Sequence, residues 1–352
     1  FVKLIDGAKI PIWGEIELAY QSSKGKLEAV TGTNGKTTTV SLIGEIFKTT
    51  YDDTHICGNI GNPFTAEALE TTDASATILE VSSFQLETIM DFHPHVSCIT
   101  NITPDHLDRH KTMKNYVKVK ESIALNQTEE DFIVLNYEDP ELRKFGKRKT
   151  LKPQVIWFSS VHELKDGFYY KNFEIHHAHD GEDEVLLDVR DTNLLGAHNY
   201  ENIMCAIAVS MEMGVPMQKI ISAVKKFKPV EHRIEFVREK DGVKYYNDSI
   251  ASSPSRTMAG LRSFSQKVIL IAGGYDKHIP FDGLGDEICL HAKALYLCGD
   301  TSDKIEAAVK ASKYYDGSLE MRKFDDFRKT VVAASENAVS GDIVLLSPAC
   351  AA

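Results

Sequence analysis

The chain has 352 residues, 43% of them hydrophobic, which is enough material for two or three domains with real cores. Its 40 Lys and Arg residues face 51 Asp and Glu residues, and a formal net charge of -11 argues against nucleic acid as a partner while allowing a local phosphate pocket. Six cysteines lie far apart with no CxxC pair, and no apolar run reaches the roughly 20 residues of a membrane helix, so we expect a reduced cytoplasmic protein without a membrane partner.

Short β-branched runs alternate with helical patterns from residue 27 onward, which predicts an α/β domain with a mostly parallel sheet. Helices are predicted from about Gly35, over 116–126, and from His198 and Met217. Residues 155–187 show alternating strands around Asp166 and a polar run at 176–184, which is typical of an antiparallel flap. The predicted parallel strands are 27–31, 77–81, 96–100 and 132–135.

A second α/β series follows a predicted linker at 229–231. Its strands are predicted at 244–247, 267–272, 294–298 and 343–346, with helices at 301–311 and 324–338. We therefore expect a central domain with a phosphate-loop type of fold at 24–228 and a Rossmann-like C-terminal α/β domain at 229–352, preceded by a tail and linker at 1–23.

A glycine turn and a lysine join the first predicted strand to its helix, in the run Thr31-Gly32-Thr33-Asn34-Gly35-Lys36-Thr37-Thr38. Backbone N–H groups at a helix N-terminus bind phosphate oxygens, Lys36 can reach the β and γ phosphates, and the hydroxyl of Thr37 or Thr38 can ligate Mg²⁺. The strict phosphate-loop pattern has a glycine where Val30 stands, so an ordinary glycine-rich turn is the alternative.

The whole run resembles the phosphate loop of the Mur ligase and folylpolyglutamate synthetase superfamily, and similar motifs follow in the expected order to the end of the chain. Members are ATP-dependent amide ligases, in which ATP phosphorylates a substrate carboxylate and an amine then attacks the acyl phosphate. The run from Glu80 to Glu87 is most similar to the branch that adds D-glutamate to UDP-N-acetylmuramoyl-L-alanine. The resemblance implies these two substrates, ATP, two Mg²⁺ ions and a monomer.

Several polar groups are candidates for the reaction centre. Glu80 ends a predicted strand, where α/β proteins place ligand-binding groups, although such a glutamate is more often solvated or salt-bridged. His106 lies in a loop after another predicted strand, and its alternative is a surface histidine at a capped helix start. The resemblance makes Lys36, Glu80, His106 and Lys120 catalytic and makes Thr37, Glu80, His106 and Lys120 ligands of Mg²⁺. Lys120 would act as a carbamate formed with CO₂, but without the resemblance it is an ordinary solvated lysine on a helix face.

Nucleotide and substrate contacts are also implied by the resemblance. Asn199 and Asn202 lie three residues apart, where paired amides could bind an adenine edge, although Asn199 is equally well an N-cap. Arg233 is expected at the ATP phosphates and Asp248 at the ribose. The expected substrate contacts are Asn59, Ser82, His106, Lys277, Ser347 and Ala349. The resemblance places Asn59 at the carboxylate-bearing substrate, and it places Lys277 and Ser347 with neighbouring backbone amides at D-glutamate.

Two features of the chain depart from this pattern. Ile250 stands where many relatives have a lysine, so we leave it out of the polar site. We also expect most of the uridine-nucleotide domain to lie outside the chain, with residues 8–15 as its tail. Two rival functions stay open: a sister ligase that adds another amino acid, and a nucleotide-binding module without ligase activity.

Overall fold

The computed structural model describes residues 12–228, 232–276 and 280–350. They form two compact units, the first within 12–194 and 198–228 and the second from 232 onward together with Leu195–Ala197. Within these ranges no helix is both long enough and apolar enough to cross a membrane.

The first unit is built on a sheet of nine strands in the order β2-β3-β1-β4-β5-β6-β7-β8-β9. Neighbouring strands pair in parallel from β2 to β7, and antiparallel pairing is confined to β7, β8 and β9. The strands are β1 (Lys26–Thr31), β2 (Thr54–Gly58), β3 (Ala76–Glu80), β4 (Val96–Ile99), β5 (Phe132–Asn136), β6 (Gln154–Ser159), β7 (Gly167–Lys171), β8 (Glu174–His179) and β9 (Glu182–Asp188).

The predicted parallel sheet is confirmed, but the antiparallel expectation for residues 155–187 is wrong for its first strand. β6 pairs in parallel with β5, and Phe158 and Ser159 pair in parallel with β7. The polar run at 176–184 is mostly strand, and its turn is at Asp180 and Gly181, which both have positive φ. Strand direction depends on the partner strand, so alternation within one segment did not decide it.

The central strands of the first sheet are buried almost throughout, as is typical of parallel strands that are packed against helices. The helices of the first unit are α1 (Glu15–Tyr20), α2 (Lys36–Phe47), α3 (Phe64–Glu67), α4 (Ser83–Leu86), α5 (Leu107–His110), α6 (Met113–Glu121), α7 (Pro140–Gly146), α8 (Ala197–Glu212) and α9 (Met217–Lys226).

A buried carboxylate fastens α1 to the first unit. Glu17 accepts hydrogen bonds from the backbone N–H groups of Met90 (2.7 Å), Asp91 (3.1 Å) and Phe92 (3.1 Å). Burial acts to raise the pKa of Glu17, but these donors and the Gln21 amide outweigh it, and the pKa lies below its usual value. The described residues before β1 are therefore an integral part of this unit.

The middle of β1 contains a buried acidic side chain. Glu28 is completely buried, and neither of its carboxylate oxygens has a hydrogen-bond partner among the described residues. Burial raises its pKa well above the usual value, with the charge of Lys26 opposing the shift. The strand that leads into the phosphate loop therefore buries an acid without hydrogen-bond partners among the described residues, in surroundings that favour its neutral form.

The second unit has a sheet of six strands in the order β10-β11-β15-β12-β13-β14, parallel except for the β10–β11 pair. The strands β10 and β14 were not predicted, and Phe324 ends β14 rather than beginning a helix. The elements are β10 (Glu235–Lys240), β11 (Val243–Asn247), α10 (Pro254–Leu261), β12 (Val268–Ala272), α11 (Leu284–His291), β13 (Ala292–Cys298), α12 (Ser302–Lys310), β14 (Glu320–Phe324), α13 (Phe327–Glu336) and β15 (Ile343–Leu346).

Candidate active site

Two glycines shape the loop between β1 and α2 because no other residue fits there. Gly32 has a φ of +143°, and a Cβ atom on it would lie 1.9 Å from the Thr100 hydroxyl oxygen. Gly35 has a φ of +86°, and its Cβ would lie 2.3 Å from Oδ1 of Asn202. Both the left-handed backbone and the close packing therefore require glycine, and the loop can present its N–H groups at the start of α2.

The loop that follows β4 braces the phosphate loop. The N–H groups of Thr33 and Asn34 donate to the backbone oxygen (2.8 Å) and the side-chain oxygen (3.0 Å) of Asn101. The Thr100 hydroxyl donates to the Asn34 carbonyl (2.6 Å), and the Thr33 hydroxyl lies 3.1 Å from that of Tyr116. The bracing role of Thr100 and Asn101 was missed from the sequence, where their only signal is that they follow a strand.

Lys36 folds back over the loop that precedes it. Its Nζ donates to the carbonyls of Gly32 (2.9 Å) and Thr33 (3.0 Å). A lysine at the first position of α2 is thus held directly above the turn that is predicted to bind phosphate.

Three predicted site residues meet where β3 ends. Glu80 accepts a hydrogen bond from the Thr37 hydroxyl (2.8 Å) on one carboxylate oxygen and from the Asn59 amide (2.9 Å) on the other. Thr38, the other candidate hydroxyl, is buried with only 5% of its surface exposed. The structure thus places Thr37, and not Thr38, at this carboxylate.

Lys120 is buried beneath the phosphate loop, with 2% of its surface exposed, so the interpretation as a solvated surface lysine is wrong. Its Nζ donates to the Gly32 carbonyl (2.8 Å) and lies 3.4 Å from the Thr31 hydroxyl. Burial, and then the nearby charge of Lys36, hold the pKa of Lys120 well below its usual value. The exposed Lys114 on the same helix shows that position on α6 decides this difference.

His106 and Ser82 lie on neighbouring loops. His106 has a φ of +50°, and its half-exposed ring packs edge-on against Phe84 with Nε2 3.6 Å from a carboxylate oxygen of Asp105. Within the described residues its contacts do not include Glu80 or Lys120. The Ser82 hydroxyl caps α4 in a reciprocal arrangement with Gln85.

The two asparagines at the start of α8 bind each other. The Asn202 amide donates to Oδ1 of Asn199 (3.1 Å), and Oδ1 of Asn202 accepts from the Thr39 hydroxyl on α2 (3.3 Å). Both side chains are largely buried. The pair therefore packs α8 against the helix of the phosphate loop.

In the second unit, the predicted groups at the carboxyl edge of the sheet form a closed cluster. The buried Ser347 hydroxyl donates to Asp248 (2.7 Å) and lies 2.9 Å from the Thr257 hydroxyl. Burial raises the pKa of Asp248 to about 6, although the Ser347 hydrogen bond and the charge of Arg233 oppose the shift. Ala349 has a φ of +64° and donates its N–H to the Ala251 carbonyl (2.9 Å).

Two further predictions lie outside the described residues. These are the D-glutamate contact at Lys277 and the linker at 229–231.

Two protein-family models match the chain. "Mur ligase middle domain" matches residues 30–210, and "Mur ligase, glutamate ligase domain" matches residues 232–350. Together they cover most of both units.

Curated relatives are similar over nearly the whole chain. UDP-N-acetylmuramoylalanine--D-glutamate ligase of Lachnospira eligens is 48% identical over 98% of this chain and 75% of its own length. The enzyme with the same name from Lachnoclostridium phytofermentans is 45% identical over 100% of this chain and 76% of its own. The chain therefore spans about three quarters of the length of these relatives.

Solved structures share the fold. MurF from Acinetobacter baumannii matches with a TM-score of 0.70 and 16% identity, over 95% of this chain and 76% of that one. MurF ligase from Thermotoga maritima in complex with ADP matches with a TM-score of 0.66 and 19% identity, over 95% and 79%. At these identities the likeness establishes the fold alone, and it confirms the predicted two-sheet α/β architecture.

Proposed function

Because this chain belongs to the Mur ligase family, we propose that it catalyses the ATP-dependent addition of D-glutamate to UDP-N-acetylmuramoyl-L-alanine, in the synthesis of peptidoglycan precursors. The observation that carries the proposal is the group of polar side chains around the phosphate loop. There the strand-end carboxylate of Glu80 is held by Thr37 and Asn59, and Lys120 is buried under Gly32.

The residues present suit Mg²⁺. Glu80 and Thr37 offer a carboxylate and a hydroxyl at one point, and oxygen ligands are what Mg²⁺ prefers. Mg²⁺ beside a nucleotide takes most of its ligands from phosphates and water, so few protein ligands are needed. Glu80, Thr37, His106 and a modified Lys120 would hold two such ions, which supply positive charge to the transferring phosphate.

Lys120 suits the proposed modification. The lowered pKa of Lys120 favours its neutral amine, and only the neutral amine has a lone pair to attack CO₂. The new N–C bond forms as one C=O π bond of CO₂ opens and the nitrogen loses a proton to solvent, so the buried amine becomes an oxygen-bearing carbamate anion. The hydrogen bonds to Gly32 and Thr31 set the nitrogen beneath the phosphate loop before it reacts.

The remaining side chains are proposed to bind and orient the reactants. The N–H groups of residues 32–38 and the Lys36 ammonium would bind the ATP phosphates, while Asn59, Ser82 and His106 direct the muramoyl-alanine carboxylate toward the γ phosphate. Asn199, Asn202, Arg233 and Asp248 are proposed for the nucleotide.

D-Glutamate is proposed to bind through Lys277 and the loop after β15. Since Ser347 already bonds Asp248, its hydroxyl would act mainly by shaping that loop, with Ala349 in its left-handed conformation turning the backbone N–H groups toward a carboxylate. The amine of D-glutamate then attacks the acyl phosphate, and phosphate leaves. We propose that the enzyme works as a monomer in the cytoplasm and binds neither nucleic acid nor membrane.

Phosphate release by the purified protein tests the assignment. With ATP, Mg²⁺ and UDP-N-acetylmuramoyl-L-alanine present, D-glutamate should start phosphate release, whereas L-lysine and diaminopimelate should not. Release with one of the latter would indicate a sister ligase instead. ATP binding without release for any amino acid would indicate a nucleotide-binding module.

A further inference from the structure

A second acidic group lies close to the phosphate loop and has no part in the function proposed above. Glu201 is on the second turn of α8, next to Asn202, and it is only partly exposed. Its carboxylate accepts a hydrogen bond from the Ser160 hydroxyl (2.6 Å), just after β6, and the Asn136 side chain at the end of β5 lies beside it. Glu201 thereby ties α8 to the carboxyl edge of the first sheet.

A short series of contacts leads from Glu201 to the phosphate loop. The Asn136 amide, which lies beside Glu201, donates to the Thr100 carbonyl (3.1 Å). The hydroxyl of the same threonine donates to the Asn34 carbonyl (2.6 Å) within the loop. Because Asn202 also touches Gly35, the first turns of α8 are joined to the loop at two points.

The charged groups that face Glu201 are mostly acidic. Glu138 and Asp139, in the turn between β5 and α7, both act to raise its pKa. Glu138 is hydrogen-bonded to His162 (2.9 Å), and Asp139 accepts from the Ile102 N–H (2.6 Å). On α8 itself, burial lowers the pKa of His198 to about 4, so this histidine is neutral near pH 7.

Desolvation raises the pKa of Glu201 to about 7, with the Ser160 hydrogen bond as the largest opposing cause. Nucleotide binding brings net negative charge to the loop at the other end of this series of contacts. Negative charge nearby favours the neutral form of a carboxyl group. The protonated fraction of Glu201 should therefore rise when a nucleotide binds.

We propose that Glu201 is a positioning residue that takes up a proton when nucleotide binds to the phosphate loop, so that nucleotide affinity falls as pH rises through neutrality. The inference rests on the proposed function only in that a nucleotide occupies this loop. In its neutral form Glu201 adds no negative charge to the carboxyl edge of the first sheet, where Glu138 and Asp139 already lie. In its ionised form it opposes the incoming phosphates.

The direct test is calorimetry of Mg·ADP binding to the full chain at pH 7.5, in two buffers with different heats of ionisation. The difference in heat gives the number of protons taken up, and we expect about half a proton if binding raises the pKa by about one unit. Glu201→Gln keeps the shape of the side chain and removes its titration, so the variant should bind Mg·ADP with this uptake lost. Protons exchanged by the nucleotide itself are the same in both proteins and cancel.

Glu212→Gln is the matched control, since Glu212 ends the same helix and its pKa is also raised by burial. That variant should take up as many protons as the wild type. Equal uptake in wild type and Glu201→Gln would overturn the inference and leave the ligase assignment intact. Failure of the wild type to bind Mg·ADP would instead overturn the proposed function.

Ser160→Ala supplies a second test that does not depend on how well the Gln variant folds. Removing the hydroxyl takes away the hydrogen bond that opposes the raised pKa of Glu201. The pH at which Mg·ADP affinity falls should therefore move upward, whereas an unchanged midpoint would contradict the proposal. A purely structural role for Glu201 predicts weaker binding at every pH and no such movement.

Discussion

A buried carboxylate lies at the carboxyl edge of each sheet, but its hydrogen-bond partners differ between the two sheets. In the first sheet, Glu80 takes its hydrogen bonds from Thr37, at the start of the phosphate-loop helix, and from Asn59, in a loop. In the second sheet, Asp248 bonds to Ser347, which itself lies against Thr257 on α10. Parallel topology brings polar groups to one edge in both units, but their partners differ.

The difference shows what kind of partner keeps a carboxylate available for ligands. The donors to Glu80 lie in segments that are themselves proposed to bind phosphate and substrate, so a ligand can exchange with them. The donors to Asp248 belong to the interior, and burial raises its pKa to about 6. Topology therefore places an acid at the carboxyl edge of each sheet, and its immediate neighbours decide how readily a ligand can replace its hydrogen-bond donors.

The largest expected effect is at Glu80. Glu80→Gln preserves size but removes the charge, and it should lower D-glutamate-dependent phosphate release by about 1000-fold, as is usual for loss of a group that stabilises charge in the transition state. The exposed Glu45→Gln on α2 is the control and should retain normal rates. A fall of less than tenfold for Glu80→Gln would place the metal-binding role elsewhere.

A second variant tests the closed cluster through its pH dependence. The raised folded-state pKa of Asp248 means that its contribution to stability is complete below about pH 4 and is lost as pH rises to about 6. Asp248→Asn should therefore gain stability relative to wild type across that window, by at most about 3 kcal/mol at pH 8. Urea denaturation at pH 4 and pH 8 measures it, and a difference that does not change with pH would refute the buried-acid interpretation.

Glu28 extends the comparison to an acid without partners. Glu28→Met keeps a similar length and removes the unpaired oxygens, so the free energy of unfolding should rise by about 2 kcal/mol at pH 8. Because the folded-state pKa is raised, the gain should shrink as pH falls toward 4.5. Glu70→Met, at an exposed position, should leave urea denaturation unchanged, and a destabilised Glu28→Met would show that the carboxyl group has a partner after all.

Ser347→Ala should have the smallest effect. Loss of one buried hydrogen bond should cost about 1 kcal/mol of unfolding free energy in urea denaturation and move the titration of Asp248 to higher pH. Ser340→Ala, at an exposed position, serves as the reference. If Ser347→Ala instead raised the KM for D-glutamate more than tenfold at unchanged stability, the hydroxyl would be a direct substrate contact.

Local patterns in the amino-acid sequence predicted much of the fold. The strand, glycine turn and helix around Lys36 were predicted in order, because a buried strand, a left-handed turn and a helix start each need particular residues. The direction of strand pairing was harder to predict, because β6 has the same alternation of apolar and polar residues whether its neighbour runs parallel or antiparallel. The weakly apolar β10 and β14 were missed because much of their surface is exposed, which leaves little hydrophobic signal.

For the candidate site, sequence determined which chemical groups are available and tertiary structure decided their states. The run after Val30 and the strand-end position of Glu80 follow from residues near each other in the chain. That Lys120 is buried while Lys114 is exposed, and that Thr37 rather than Thr38 meets the carboxylate, depends on contacts between segments far apart in sequence. Burial and charge are set by everything packed around a group, so its pKa and its partners emerge only when the chain has folded.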